Sequence, residues 1–233
     1  MTDFDLGRFE VLTFDCYGTL IDWEAGILGA AQPILANHGV TLSDDEVLER
    51  FAQHEAVLES GPWQTYRAVL AGALGGLAGE LGVQVSAEEL SAFSESVPAW
   101  PPFPDSAPAL RQLASRYRLG VITNCDDDLF AASAAQLGVP FEWVVTAEQA
   151  QDYKPNHAPF LVALKAIDVP PERVLHVAQS LYHDHVPAHA LGLATVWVNR
   201  RHDRPGFGAT PPADATPNLE VPDLASLAAM TTG

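Results

Sequence analysis

Basic residues are scarce in this chain: 12 lysines and arginines stand against 30 aspartates and glutamates, for a formal charge of -18. Such a surface repels phosphate backbones and anionic headgroups, which argues against nucleic-acid and membrane partners. An anionic small molecule would need a local cation, and the only lysines are Lys154 and Lys165. Cysteine is nearly absent as well. Cys16 and Cys125 cannot make a disulfide framework, and each ends an apparent core strand, so reduced thiols are expected. Long apolar runs are missing too: "AVLAGALGGLAG" is Gly-rich and well short of the roughly 20 residues that span a bilayer. The acidic opening "MTDFDLGRFE" lacks the basic region and apolar run of a secretory signal, so the expected location is cytoplasmic.

What is present is a core. The 233 residues are 48% apolar, enough for one large domain or for a core domain carrying an insertion. From residue 105 onward, apolar runs ("RLGVITN", "EWVVT", "RVLHVA", "ATVWVN") alternate with helical stretches, the pattern of a parallel sheet covered on both faces. "EVLTF" near the start would join that sheet. Residues 24 to about 99 hold helical stretches and no convincing strand, with "SDDE" and "SAEE" reading as capped helix starts. The expected fold is α/β: a Rossmann-like parallel-sheet core from residues 1–20 and 100–233, with a helical cap, residues 21–99, inserted after strand one. The Gly- and Pro-rich stretch after Val198 reads as loop ahead of a last short helix.

Polar residues gather at the carboxyl ends of the expected strands, where open α/β sheets place their ligands. They are Asp15 with Thr19, Thr123 with Asn124, Lys154 in "YKPN", and Asp184 in "AQSLYHD". Taken singly, each has a plain structural role: Asp15, Asn124 and the threonines as turn groups, Lys154 as a surface ammonium, Asp184 as a helix cap. Convergence on one rim is what an active site requires.

In this order, "FDCYGTLIDW", "ITN" and "YKP" resemble the haloacid dehalogenase superfamily, and the first motif with a helical cap is similar to its L-2-haloacid dehalogenase (type II) branch. The resemblance implies that Asp15 attacks the halogen-bearing carbon of a short 2-haloacid, and that water then cleaves the Asp15 ester to release a 2-hydroxy acid and halide. Lys154 would keep Asp15 ionised, Thr19 would donate to it, and Asp184 would orient the hydrolytic water or act as its base. Thr123 would bind the substrate carboxylate and Asn124 the halide. Arg50 would close over the halide and Trp63 would supply an aromatic wall, while Cys16, Tyr17, Gln179 and Ser180 complete the binding set. The resemblance implies no cofactor and no metal, and leaves room for a homodimer.

Phosphoryl transfer is the commoner activity of that superfamily, and two positions separate it from dehalogenation. Its phosphatases resemble "DxDGT", whose second acid protonates the leaving alkoxide; this chain has Tyr17 there, a phenol with an ordinary pKa of about 10. They also carry an early acid in the fourth motif to hold Mg²⁺, where this chain has Gln179. A departing halide needs neither group. The pattern departs from the dehalogenases as well: Phe160 stands six residues after the motif lysine in place of a tyrosine, and Gln179-Ser180-Leu181 replaces a Ser-Ser-Asn run. His183 and His185 flank Asp184 either as replacement polar contacts or as solvated helix-start residues. A phosphatase of small phosphate esters and a catalytically idle small-acid binder therefore stand as alternatives.

Overall fold

The computed structural model describes residues 4–231, so the first three residues of the acidic opening lie outside it. Six parallel strands form one sheet: β1 (Val11–Phe14), β2 (Arg118–Thr123), β3 (Trp143–Thr146), β4 (Val174–Ala178), β5 (Ala194–Val198) and β6 (Leu219–Val221). Their order is β3-β2-β1-β4-β5-β6, so the chain leaves β1 in one direction for β2 and β3 and crosses back past it to β4. That reversal opens a crevice at the carboxyl end of β1. The sixth strand lies where only loop and helix were expected. Three residues are too few to show a period, and β6 is recognisable only by its pairing with β5.

Alternate residues of β1 face opposite layers, as the pleat demands. Leu12 and Phe14 join the larger core, whereas Val11 joins a second cluster with Ile122, Val145, Phe160 and Val174. Phe160 is thus a core residue, and it lies edge-on to His176 with ring centroids 5.1 Å apart.

Between β1 and β2 the chain forms α1 (Trp23–Asn37), α2 (Asp44–Glu59), α3 (Tyr66–Glu80), α4 (Ala87–Ser94) and, after a short 3-10 turn, α5 (Ser106–Ala114). Ser43 with Glu46 and Ser86 with Glu89 form the two expected capping boxes. Ile21 bridges both Tyr17 and Pro102, so the chain enters and leaves the helical segment side by side. The Gly-rich stretch proves to be α3. A Cβ at Gly76 would fall 2.5 Å from the His54 ring, and one at Gly72 2.9 Å from Leu58, so these glycines let α3 lie directly on α2.

This close packing fixes the face that α2 turns inward: Val47, Leu48, Phe51, Ala52, Glu55 and Glu59 are its buried residues. The spacing is that of a helical core stripe, yet its last two members are acids. The remaining helices, α6 (Asp127–Leu137), α7 (Ala147–Ala150), α8 (Ala158–Ile167), α9 (Val186–Ala190) and α10 (Leu224–Ala229), accompany the later strands. Asp126 stands just before α6 and accepts from the backbone N–H groups of Tyr66 (2.7 Å) and Arg67 (3.1 Å), capping α3 from the core side.

Candidate active site

Asp15 is the first residue beyond β1. Its Oδ2 accepts from Thr19 Oγ1 (2.8 Å) and its Oδ1 from Lys154 Nζ (2.8 Å). Thr19 is fixed in turn, because its hydroxyl accepts from the Gln179 N–H at 2.9 Å. Lys154 also donates to Ile122 O (2.9 Å) and to Asp184 Oδ1 (2.7 Å), which uses all three of its protons. Asn124 holds the lysine's backbone in place, accepting from Lys154 N–H at 2.8 Å and donating to Lys154 O at 3.0 Å.

The network continues inward. His176 of β4 donates from Nε2 to Asp184 Oδ1 (2.9 Å), and its Nδ1 accepts from Thr13 Oγ1 (2.9 Å), its register partner on β1. The Asp184 carboxylate fixes that tautomer, since it can only accept. Asp184 caps no helix; it lies within a π-helical turn, Leu181–His185, that carries the chain from β4 to α9. Its Oδ2 is buried and has no hydrogen-bond partner among the described residues.

These groups titrate unequally. Burial pushes the Asp184 carboxyl up, but the Lys154 charge and the His176 bond outweigh it and hold Asp184 well below the ordinary carboxylate range. Asp15 moves the other way: burial raises it, Lys154 opposes, and the Asp184 charge raises it further. Lys154 therefore opposes the effect of burial on Asp15 without cancelling it. The ammonium resists burial because both acids hold its proton.

A small cavity opens above this network. From the sheet side it is lined by Asp15, Tyr17, Asn124, Lys154, Gln179, Ser180, His183 and Asp184, and from the helical segment by Trp23, Glu55, Glu59 and Tyr66, with Thr210 at the edge. Seven expected residues thus meet at one place, with Thr19 directly behind Asp15. Four others do not line it. Arg50 reaches Glu80 on α3 and forms an ion pair there, because its place on α2 lies off the buried stripe. Trp63 is half-buried against the main core, and Trp23 and Tyr66 supply the aromatic walls instead. Thr123 is enclosed, with its hydroxyl unpartnered among the described residues. The Cys16 thiol is sealed in the core, where burial keeps it protonated.

Tyr17 is the decisive neighbour of Asp15. Its hydroxyl lies 3.0 Å from Ser133 Oγ and accepts from Cys125 Sγ at 3.3 Å; its ring stacks on Tyr66 and meets Trp100 edge-on. Burial pushes the phenol well above its ordinary value, so it is neutral. The donors do not fit the magnesium ion of a phosphatase. Asp15 and Asp184 are already bridged by an ammonium, a neutral phenol and an amide stand at the other two positions, and no metal-holding group of three or more His, Cys, Asp and Glu occurs among the described residues.

Sequence reasoning missed Glu55 and Glu59. Glu55 accepts from Tyr66 OH at 3.0 Å, and burial raises its carboxyl to about 8. Glu59 is raised still more clearly, first by burial and then by Glu55; Asn124 Nδ2 donates to it at 3.3 and 3.4 Å, and His183 Nε2 stands 3.6 Å away. Burial lowers His183 to about 4, so it faces Glu59 as a neutral ring. His176 was also missed, although a lone histidine inside the apolar run "RVLHVA" was a visible signal.

A family model described as haloacid dehalogenase-like hydrolase matches residues 9–182. The chain belongs to this family. A (S)-2-haloacid dehalogenase from Pseudomonas fluorescens is 27% identical to this hydrolase over 221 residues, covering 92% of each chain. The 5-amino-6-(5-phospho-D-ribitylamino)uracil phosphatase YigB from Escherichia coli (strain K12) is 30% identical over 241 aligned residues, covering 97% of each. The crystal structure of the L-2-haloacid dehalogenase PA0810 is 27% identical and superposes with a TM-score of 0.78 over 95% of this chain and 98% of that one. Relatives of two chemistries lie at similar distance, so the choice of reaction rests on the site.

Proposed function

We propose that this hydrolase converts short 2-haloacids to 2-hydroxy acids through an ester on Asp15, without a metal ion. The observation that carries the reading is the Lys154 bridge between Asp15 and Asp184 beside a neutral, fully engaged Tyr17. One Asp15 oxygen attacks the carbon as the halide departs, and the ammonium, which holds Asp15 in place, offsets the charge of a nucleophile that burial would otherwise protonate. The N–H group of Tyr17, two residues after Asp15 and on the cavity wall, makes no backbone hydrogen bond among the described residues and would donate to the substrate carboxylate.

Water then attacks the Asp15 carbonyl. Asp184 Oδ2 is the vacant acceptor for that water, and its low proton affinity suits it to orienting the molecule rather than removing a proton. The phosphatase reading is favoured by the identity to phosphatases, YigB among them. Halide release from chlorinated and brominated 2-haloacids in EDTA, run beside p-nitrophenyl phosphate with Mg²⁺, separates the two. Halide release that EDTA leaves intact is expected; phosphate release that requires Mg²⁺, with no halide, would overturn the proposal. Silence toward both, with ligand-induced thermal stabilisation, would mark an idle binder.

A further inference from the structure

The cavity's helical wall carries two acids that the reaction above does not use. Glu55 and Glu59 are 3% and 8% exposed, one turn apart on α2, and both line the cavity that holds Asp15. Among the described residues no arginine lines it, and its one ammonium, Lys154, is committed to Asp15 and Asp184. Asn124, which the family resemblance assigns to the halide, turns its amide to Glu59 instead, at 3.3 and 3.4 Å. The Glu59 carboxyl therefore sits beside the amide expected to meet the leaving group. A second feature marks the cavity as built for a ligand: the fully buried Asp184 has an Oδ2 without a partner among the described residues.

In an in-line displacement the leaving group departs on the side of the carbon opposite Asp15. We infer that Glu59 is the proton donor to that leaving group, and that the site takes substrates whose leaving group needs one, namely 2-fluoroacids. The inference rests on the dehalogenase reading. Chloride and bromide leave as weakly basic anions, whereas fluoride concentrates its charge on a small atom and gains most from a proton or a strong hydrogen bond. Atoms and charge balance. The new Asp15 oxygen–carbon bond forms as the carbon–fluorine pair leaves on fluorine, and the Glu59 proton goes to fluoride. Water then splits the ester into 2-hydroxy acid and Asp15 carboxylate, and the proton it releases restores Glu59. The sum is fluoroacid plus water to hydroxy acid plus hydrogen fluoride.

The groups facing Glu59 keep it protonated. Glu55 on its own helix repels a second charge, Tyr66 and Tyr153 are phenols pushed up by burial, and His183 is neutral; Lys154 and the Asn124 hydrogen bond favour ionisation but do not outweigh burial and Glu55. A carboxylic acid held neutral in an apolar site is an effective donor at neutral pH.

The test measures fluoride and chloride release from 2-fluoro- and 2-chloropropionate by the wild type and Glu59→Gln, across pH. The wild type is expected to release both halides, with fluoride release failing on the alkaline side first. Glu59→Gln is expected to cut fluoride release by about 100-fold and chloride release far less. Chloride turnover by the variant also reports that it is folded. A wild type that releases chloride but no fluoride would overturn the inference and leave the dehalogenase reading standing. Equal loss of both halides in the variant would reduce Glu59 to a structural residue, and no loss of either would remove it from the reaction. Absence of any halide from the wild type would overturn both proposals.

Discussion

On the sheet rim, Asp15, Lys154 and Asp184 neutralise one another through short hydrogen bonds, and His176 and Thr13 extend the network into the core. On the helical wall, Glu55 and Glu59 are equally buried, yet they face a phenol, an amide and a neutral imidazole and, among the described residues, no cation within ion-pair distance. One wall holds charge by pairing it and the other by keeping its protons. Burial alone therefore does not define a carboxylate's state; the partner decides whether it is held as the anion or keeps its proton.

The largest effect is expected from breaking the paired wall. Lys154→Met leaves two acids facing each other in the core, and denaturant titration at pH 7 should show a loss of about 3 to 5 kcal/mol together with loss of turnover. Recovery of stability as the pH is lowered far enough to protonate both acids would accompany it. A stable Lys154→Met protein at neutral pH would mean that the bridge is not what holds the acids there.

The unpaired wall should respond to pH with the opposite sign from a salt-bridged acid. The Glu55 carboxyl rises from 4.5 to about 8 on folding. The folded state therefore binds the proton more tightly, and the stability gained from it is present below the lower value and lost as pH rises through the upper one. The slope from this one group is at most about 1.4 kcal/mol per pH unit. Thermal melts from pH 4.5 to 8 should show this decline in the wild type and a flatter profile in Glu55→Gln, which carries no proton to lose. Superimposable profiles would place Glu55 in water rather than in the core.

A smaller effect tests how the two walls are joined. Asp126→Ala removes the core-side cap of α3 and is expected to lower stability by about 1 kcal/mol, read as a shift in denaturant midpoint. No shift would show that α3 is held on the core by its other contacts alone.

The paired wall was legible in the sequence because its members sit at strand ends, where chain order and parallel topology dictate convergence. Asp15, Lys154 and Asp184 could be assigned without knowing any side-chain direction. The unpaired wall was not legible. "ERFAQHEAVLES" looks like an ordinary charged helix, and nothing local tells whether Glu55 and Glu59 or Arg50 faces inward. Register on α2 is set by tertiary packing, through the glycines of α3 that admit His54 and Leu58. Arg50, expected over the halide, lies instead on the flank of α2 with Glu80. The short β6 escaped for a related reason: its identity lies in its pairing with β5 and not in its composition.

Covalent attack by Asp15 can be read from a single-turnover reaction in heavy-oxygen water with excess enzyme. An ester intermediate predicts that the heavy oxygen appears in the Asp15 carboxylate, found by mass spectrometry of the peptide around residue 15, while the first 2-hydroxy acid released carries ordinary oxygen. Heavy oxygen in that first product with none in Asp15 would show that water attacks the substrate directly, and would contradict the account.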